Sequence, residues 1–464
     1  MNPIGCLCFS HKKMNDKSTG AVTSHRSIPS LWTSMAIVLL LGMGTAMIGV
    51  WMIIELARRI TTQLHDGNIH NDHRRRIPIR NLQDDHKGQG TTSQIAWSIV
   101  NKWSDSYLLW NVNVVDGGDD PFQRYVNVPI IQLLADGNLT DLCGMVDNGY
   151  MQWMRDHSAE LWDRPFNTII LPGSHDSFTS GISLYKDPLS LSPDVDNMLL
   201  KFFSLPFIPK PAIYMTMFPW GNTQSCSCMQ QLMHGLRYFD IRVCKDYRES
   251  NVDKSFKTCH GFFSTPLDSI VADVLNFTTM APSEVVILDF NHFYGMTMED
   301  HNYLLKRMTQ ALQAVLITPT EFSLNSTYGT ILNSKKRVFM IYHQRSDYNS
   351  QVFGWKDIVF GWAESVNIDR LQSYNLQILS GREQMPDKNS TLFNLQLVLT
   401  PGAEDIILGG FTRPYSVLDL AAKVSKRLPT WVTTDYNRST LNIVTCDFYH
   451  LFNFTDVVIQ KNFQ

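Results

Sequence analysis

The stretch TIILPGSHDSFTSG, residues 168–181, decides the fold class and the place of the site. An apolar run typical of a buried strand ends at Pro172, and the ionisable pair His175 and Asp176 follows almost at once. In parallel α/β proteins, functional residues gather where the carboxyl ends of buried strands reach solvent. The stretch therefore predicts an α/β sheet and a functional role for both side chains.

Further apolar runs alternate with helical patterns along the rest of the chain. Together with NTIILP at 167, the predicted strands are RYFDIRV at 237, EVVILDF at 284, KRVFMIY at 336, LQLVLT at 395 and LNIVTCDF at 441. Strands that are apolar on both faces predict a parallel sheet covered by helices, either open or closed into a barrel.

Two of the intervening helices have clear start signals. Thr265 is the predicted N-cap of one, with Pro266 at its first helical position. Thr297 precedes the other, a long amphipathic helix. Its predicted apolar face holds Leu304, Leu305, Met308, Leu312 and Leu316.

Composition narrows the function. The 464 residues are 44% hydrophobic and carry a formal net charge of -3. No basic stripe with interleaved aromatic residues occurs in the body of the chain, so nucleic-acid binding is not expected.

The N-terminal region predicts a membrane anchor. No charged residue lies between Arg26 and Glu55, and the apolar run there is long enough to cross a bilayer. The expected organisation follows from this segment and from composition. It is a short basic cytosolic tail (1–26), a transmembrane signal anchor (27–55), a polar flexible stalk (56–95), an N-terminal extension (96–149) and a barrel domain (150–464).

The orientation of the anchor rests on secondary signals, because basic residues flank both ends. Six sequons for N-glycosylation follow it, at Asn138, Asn276, Asn325, Asn389, Asn437 and Asn453. So do six cysteines, which could form bridges or remain buried thiols: Cys143, Cys226, Cys228, Cys244, Cys259 and Cys446. Acylation of Cys6 and Cys8 would require a cytosolic N-terminus. These signals favour a single-pass type II glycoprotein with a luminal or extracellular body.

Ionisable side chains recur at the ends of the predicted strands. Each alone has a structural explanation: a loop histidine is usually a surface residue, an Asp-x-Arg pair is often an ion pair, and an aspartate can cap a helix. Their joint placement favours chemistry. Two imidazoles can serve as general base and general acid, and an arginine can stabilise a phosphate, which together permit in-line phosphodiester chemistry without an obligatory metal. The residues are His175, Asp176, Asp240, Arg242, His260, Asp289, His292 and Asp447.

Several longer motifs carry a family resemblance. They are YMQWMRDHSAELWDRPFNTIILPGSHDSFT, PWGNTQSCSCMQQLMHGLRYFDIRV, HGFFSTPLDSIVADVLNF, PSEVVILDFNHFYGMTMEDHNYLL and LFNLQLVLTPGAEDII. From about Tyr150 onward, the chain resembles the phosphatidylinositol-specific phospholipase C X domain-containing proteins. The resemblance implies a distorted (β/α)8 TIM barrel of the PI-PLC-like phosphodiesterase type, here preceded by the predicted transmembrane helix.

The resemblance also implies a role for each site residue. His175 would be the general base for the inositol 2-hydroxyl and His260 the general acid for the diacylglycerol oxygen. Arg242 would hold the phosphate, and Asp176 would support His260. Asp447 would orient His175, and Asp240 would complete the network. Asp289, His292 and Tyr294 would contact or frame the inositol.

No cofactor or obligatory metal is implied. Arg242 stands where calcium-dependent relatives carry a carboxylate, Asp176 stands where they carry an asparagine, and Asn291 is nearest to their calcium-binding glutamate. The expected partners are a phosphatidylinositol-type lipid and a membrane, and the sequence indicates no particular protein partner. Two features depart from the family pattern. They are the charged segment CKDYRESNVDKSFKT before His260, and the pair Cys226 and Cys228.

The sequence leaves two other functions open. One is a catalytically weak barrel that binds inositol headgroups or serves as a scaffold. The other is a glycerophosphodiester-type lipid phosphodiesterase, which usually relies on a metal-binding cluster of carboxylates.

Overall fold

The structure is a computed structural model that describes Cys143 and residues 148–182, 191–205, 210–344, 351–408 and 416–464. The predicted tail, anchor and stalk, and most of the extension, lie outside the described residues. Within the described ranges, no helix has the length and apolar character needed to cross a membrane. Contacts divide the chain into Met1–Gly88 and Gln89–Gln464, and every described residue belongs to the second unit.

The second unit is built on one sheet. Its strands are β1 (Leu171–Ser174), β2 (Tyr238–Lys245), β3 (Phe256–Cys259), β4 (Phe263–Pro266), β5 (Val286–Tyr294), β6 (Leu316–Ile317), β7 (Val338–Tyr342), β8 (Ile358–Gly361), β9 (Leu392–Leu397) and β10 (Ile443–Cys446). They pair in the order β6-β7-β5-β2-β1-β10-β9-β8, all in parallel. The short strands β3 and β4 extend from β2 as an antiparallel flap.

Helices cover the outer face of this sheet. Those of six or more residues are α1 (Asn197–Phe203), α2 (Lys210–Gly221), α3 (Cys228–Met233), α4 (Leu267–Met280), α5 (Met298–Leu312), α6 (Tyr328–Asn333), α7 (Ile368–Glu383), α8 (Ala403–Leu408), α9 (Val417–Ser425) and α10 (Phe454–Gln460). Strands alternate with helices through most of the unit, as the sequence pattern predicts.

The sheet curves into an open barrel. Apart from the edge strand β6, strand order around it follows chain order, as in a barrel wound from successive parallel units. In the described part of the chain, no strand ladder joins β7 to β8; a single bridge, Ile341 to Phe353, lies beside β7 there. The architecture is therefore a parallel-strand half-barrel, which answers the open-or-closed alternative that the strand pattern left.

Side-chain alternation separates two cores. Phe239, Leu288 and Leu395 face outward to the helices, whereas Tyr238 and Ile287 fill the barrel interior with neighbours from the other strands. Further along the strands the interior becomes polar, and there Thr445 Oγ1 donates to Asn394 Oδ1 at 3.0 Å. Apolar side chains therefore fill the barrel interior at one end, and polar groups line it at the carboxyl ends of the strands.

Gly173 permits the close approach of β1 to β2. A Cβ atom at this position would lie 2.8 Å from the Tyr238 ring and 2.9 Å from the Tyr238 carbonyl oxygen. The backbone of Tyr238 can avoid such a contact only if a strand moves. A larger residue at Gly173 would therefore displace β1, the strand that presents His175.

Local start signals were predicted with mixed success. Thr297 does cap α5, in a capping box with Asp300. The amphipathic face ends at Leu312, because Leu316 belongs to β6. Thr265 is not an N-cap: it lies in β4, and its hydroxyl donates to the Phe178 carbonyl. The first strand begins at Leu171, after a 3₁₀ turn, and not at Asn167 as the apolar run predicts.

The cysteines divide between the two alternatives. Cys143 pairs with Cys226, and Cys244 pairs with Cys259. Cys228 and Cys446 are buried thiols. The neighbours Cys226 and Cys228 thus differ in role, because only the first takes part in a bridge.

Candidate functional site

The turn that follows β1 presents His175 and Asp176. The His175 amide donates to the Cys446 carbonyl (3.2 Å), and the Ser177 amide donates to the Asp240 carbonyl (2.7 Å), so the turn is tied to both neighbouring strands. Asp176 has a φ of 41°, in the left-handed region that aspartate tolerates at a small cost. Both side chains are almost fully buried at the carboxyl end of the barrel.

His175 is oriented by Asp447, the residue after β10. His175 Nδ1 lies 2.8 Å from Asp447 Oδ1, and because a carboxylate only accepts, this nitrogen carries the proton. Nε2 then faces Asp176 Oδ2 at 3.6 Å and Asp240 Oδ2 at 3.9 Å. Burial opposes the charged imidazole, but the carboxylates of Asp176, Asp447 and Asp240 outweigh it and raise the His175 pKa to about 9.

Asp176 lies at the centre of the cluster. Its Oδ1 forms an ion pair with Arg242 Nε, and its Oδ2 lies 3.2 Å from His260 Nε2. Burial favours the neutral carboxyl, but Arg242, His175 and His260 lower the pKa of Asp176, which keeps it ionised. The side chain thus connects the arginine with both histidines.

Asp240 occupies the next position inward from Arg242 on β2. Its pKa is raised by burial and by the neighbouring Asp176, although His175, Arg242 and a hydrogen bond from Asn291 Nδ2 act in the opposite direction. Asn291 can reach it because β5 shifts register against β2 beyond Ile241. This bulge also pairs His292 with Arg242.

His260 enters from the flap rather than from a barrel strand. Its Nδ1 donates to the Gly221 carbonyl at 3.2 Å, which leaves Nε2 to face Asp176. The following Gly261 has a φ of 70°, a conformation that favours glycine and turns the chain back into β4. The histidine is a quarter exposed, more open than His175.

The three predicted inositol-binding residues separate in space. His292 and Tyr294 lie at the mouth, with their rings stacked at a centroid distance of 6.3 Å. Asp289 is fully buried below them: its Oδ2 accepts from Tyr238 Oη at 2.5 Å, and its Oδ1 lies 2.9 Å from His343 Nε2. Its carboxylate is thus engaged within the protein and supports His343, which lies closer to solvent.

Sequence reasoning assigned no role in the site to three polar residues that the structure places there. His343 directly follows the strand KRVFMIY, the same signal that identified His175, and could have been found. The position of Asn291 in the site depends on the β5 bulge, and no sequence pattern predicts that bulge. Gln224 lies in a loop, and its amide donates to the carbonyls of His175 and Cys446, each at 2.9 Å.

The cluster also offers ligands to a cation. One ligand atom each from His175, Asp176 and Asp240 lies within 4.8 Å of the others. Nitrogen and carboxylate oxygen together suit a divalent ion. Arg242 already occupies one oxygen of Asp176 and supplies a fixed positive charge, so the same residues allow either a guanidinium or a metal to balance the carboxylates.

The motifs of the chain resemble those of the PI-PLC X domain-containing proteins, and comparison with known proteins confirms that resemblance. It is 28% identical over 316 residues to PI-PLC X domain-containing protein 2 of Mus musculus, covering 67% of this chain and 87% of that protein. It is 29% identical over 319 residues to PI-PLC X domain-containing protein 3 of Homo sapiens, covering 67% and 93%. No family model matches the chain.

More distant similarities include named phospholipases. The variant-surface-glycoprotein phospholipase C of Trypanosoma brucei brucei is 26% identical over 269 residues, covering 56% of this chain and 65% of that protein. Among solved structures, a mutant phosphatidylinositol-specific phospholipase C from Staphylococcus aureus gives a TM-score of 0.48 at 15% identity, covering 70% of this chain and 99% of that one. The enzyme from Listeria monocytogenes gives 0.45 at 16%, covering 67% and 98%.

Proposed function

We propose that the chain is a membrane-anchored, metal-independent phospholipase C that cleaves phosphatidylinositol-type lipids to diacylglycerol and an inositol cyclic phosphate. The observation that supports this most is the shared carboxylate. Nε2 of His175 and Nε2 of His260 both face Asp176 Oδ2, with Arg242 on the other oxygen of the same side chain. A base, an acid and a phosphate-binding group are therefore gathered at one point.

The proposed reaction is an intramolecular displacement. His175 Nε2 removes the proton from the inositol 2-hydroxyl, whose oxygen then forms a bond to phosphorus. The bond between phosphorus and the glycerol oxygen breaks, and His260 Nε2 donates a proton to that oxygen. Asp447 holds the Nδ1 proton of His175 and stabilises the imidazolium that forms. Arg242 offers parallel N–H donors to the equatorial oxygens as charge builds on them.

The distorted eight-stranded TIM barrel is part of this proposal. The half-barrel and its sequential parallel strands support it. A site at the carboxyl ends of the strands suits an inositol headgroup presented from outside the barrel.

The anchor and its orientation belong to the same proposal. The uncharged segment 27–55 would hold the enzyme beside its lipid substrate, and the body would lie in the lumen or outside the cell. Two disulfides support an oxidising compartment. All five sequon asparagines within the described residues have exposed side chains, as glycosylation requires: Asn276, Asn325, Asn389, Asn437 and Asn453.

The test uses the full chain in detergent micelles that contain phosphatidylinositol and EDTA, with product followed by phosphorus NMR. The expected result is a cyclic inositol phosphate that disappears in both His175→Ala and His260→Ala. Headgroup binding without product would instead favour the scaffold.

A parallel titration with calcium or magnesium tests the metal question. Activity that appears only after a divalent ion is added would overturn the role of Arg242 and assign the ion to His175, Asp176 and Asp240. Arg242→Lys keeps the charge but loses the planar fork, so under the proposal it should lower kcat by about 100-fold with or without metal.

A further inference from the structure

The second histidine is far along the chain from the arginine it must work with. Between Arg242 and His260 lies the charged segment 244–258, which departs from the family pattern. Within it, β3 returns antiparallel to β2, with Val243 opposite Thr258. The disulfide between Cys244 and Cys259 then links the two strands, two residues beyond Arg242 and immediately before His260.

A second contact holds the other side of the same turn. Asp194 Oδ2 accepts from the Gly261 amide at 2.8 Å, directly after His260. The Ser192 amide donates to the Gly261 carbonyl at 3.1 Å, and Leu191 bridges to Phe262. Asp194 Oδ1 also lies 3.8 Å from the Cys244 sulfur, so the carboxylate and the disulfide meet.

Building on the proposed function, we propose that the Cys244–Cys259 disulfide and the Asp194 carboxylate are positioning groups that hold His260 in register with Arg242. Neither would touch the substrate. Both act on the short turn whose one catalytic atom, His260 Nε2, must stay within hydrogen-bond reach of the leaving oxygen. A displacement of about 1 Å at such a distance typically costs about 100-fold in rate.

This role has a chemical signature. An alkoxide leaving group, such as the glycerol oxygen of a lipid, needs a proton from the acid. A 4-nitrophenolate leaves without one. Loss of positioning at His260 should therefore slow cleavage of phosphatidylinositol and spare inositol 4-nitrophenyl phosphate, whereas general loosening of the site would slow both.

The experiment compares the two substrates with the full chain in detergent. In the double variant Cys244→Ser/Cys259→Ser, kcat for phosphatidylinositol should fall about 10- to 100-fold and kcat for the aryl ester less than about threefold. Asp194→Ala should follow the same pattern, and Asp194→Asn, which keeps an acceptor oxygen, should recover part of the loss. His260→Ala removes the acid itself and should give the largest difference between the losses of kcat on the two substrates. The matched control, Cys143→Ser/Cys226→Ser, removes the other disulfide and should affect both substrates equally.

Equal losses on both substrates, or no loss on either, would overturn the positioning role. Asp194→Ala breaks no covalent bond, so it decides the question even if the double serine variant does not fold. A wild-type chain inactive toward both substrates would instead contradict the proposed function, a result distinct from either outcome.

Discussion

Two arginines lie in or next to strand β2, and each pairs with a buried carboxylate. Arg237, just before the strand, pairs with Glu284; Arg242, towards the other end, pairs with Asp176. Arg237 is fully buried, whereas the Arg242 side chain is 22% exposed, and the two pairs also differ in how completely their polar atoms are satisfied. That difference separates a structural ion pair from a candidate site.

The Arg237 pair is complete. The guanidinium donates from Nε and Nη2 to Glu284, at 2.9 and 2.7 Å, and its remaining N–H groups reach the carbonyls of Leu232, Leu236 and Met151. Glu284 also accepts from the amides of Met154 and Arg155. A buried charge pair with every atom engaged fixes the packing around it and leaves nothing for a ligand.

The Arg242 pair is incomplete by the same measure. Three carboxylates surround His175, and neither oxygen of Asp176 has an aligned hydrogen bond within the described residues. Like charges held close together keep pKa values away from their ordinary range, which is typical of acid–base sites. This difference supports the proposal that the Arg242 pair belongs to a functional site and the Arg237 pair does not.

Removing the proposed general acid, His260, from the incomplete cluster should give the largest effect on turnover. His260→Ala is expected to lower kcat for phosphatidylinositol by about 100- to 10,000-fold, because proton donation to the glycerol oxygen is lost. The side chain is a quarter exposed, so the free energy of unfolding should change by less than about 1 kcal/mol. Steady-state kinetics and urea denaturation of the same preparation check both numbers. A large stability loss would mean that His260 is structural.

Breaking the Arg237–Glu284 pair should lower stability and leave turnover nearly unchanged. Glu284→Ala leaves Arg237 buried without its partner, and the expected cost is about 3–5 kcal/mol in the free energy of unfolding. Turnover per folded molecule should stay near wild type. The double variant Arg237→Met/Glu284→Leu removes both charges and should regain much of the stability. If it were as unstable as the single variant, the specific hydrogen bonds and not the unpaired charge would explain the loss.

The pH dependence of turnover comes next in size and concerns the incomplete cluster. Because the pKa of His175 is raised to about 9, its deprotonated fraction grows about tenfold per pH unit towards pH 9, and kcat/KM for inositol 4-nitrophenyl phosphate, whose leaving group needs no proton from His260, should grow with it. Stability should move the other way. The charged imidazole stabilises the fold fully below its ordinary pKa near 6.5, and this contribution disappears as pH rises through about 9.

Asp447→Asn tests the cause of this shift. With one carboxylate fewer, the acidic limb of kcat/KM should move to lower pH. A limb that begins near pH 6.5 in the wild type would contradict the electrostatic account of the cluster.

Much of this arrangement could be predicted from the sequence, because burial dictates local pattern. The six apolar runs all contain barrel strands, and His175, Asp176, Asp240, Arg242 and Asp447 meet where the strand ends were expected to meet. The short strands β6 and β8 and the flap β3–β4 were not predicted. Two to four residues carry little periodicity, and their pairing depends on neighbours distant in sequence.

The details that decide the site depend on contacts that no local pattern encodes. The bulge that brings Asn291 to Asp240 is an irregularity between two strands. The pairing of Cys244 with Cys259, and not with any other cysteine, follows from the flap. Asp289 was expected to contact or frame the inositol, and that stays a prediction; the partners of its carboxylate, Tyr238 and His343, are brought near only by the fold.

The smallest expected effect is a difference in stability between variants of two neighbouring aspartates, Asp240 and Asp176. Burial and Asp176 raise the pKa of Asp240, so its ionised form costs stability at neutral pH; this cost falls as pH drops through the raised pKa and is gone below the ordinary carboxyl pKa. Asp240→Asn should therefore raise the free energy of unfolding at pH 7. Asp176→Asn should lower it, because the Asp176 pKa is depressed, chiefly by Arg242, and its charge is stabilising above the ordinary carboxyl pKa.

Urea denaturation at pH 7 and pH 4 compares the matched pair. Opposite signs are expected at pH 7. At pH 4 the gain from Asp240→Asn should shrink, because the cost of ionising Asp240 disappears as pH falls towards the ordinary carboxyl pKa. The loss from Asp176→Asn should persist, because its depressed pKa keeps Asp176 ionised there. If both variants were destabilised equally at pH 7, hydrogen-bond loss and not charge would govern the cluster, and the incomplete pair would then differ from the Arg237 pair only in position.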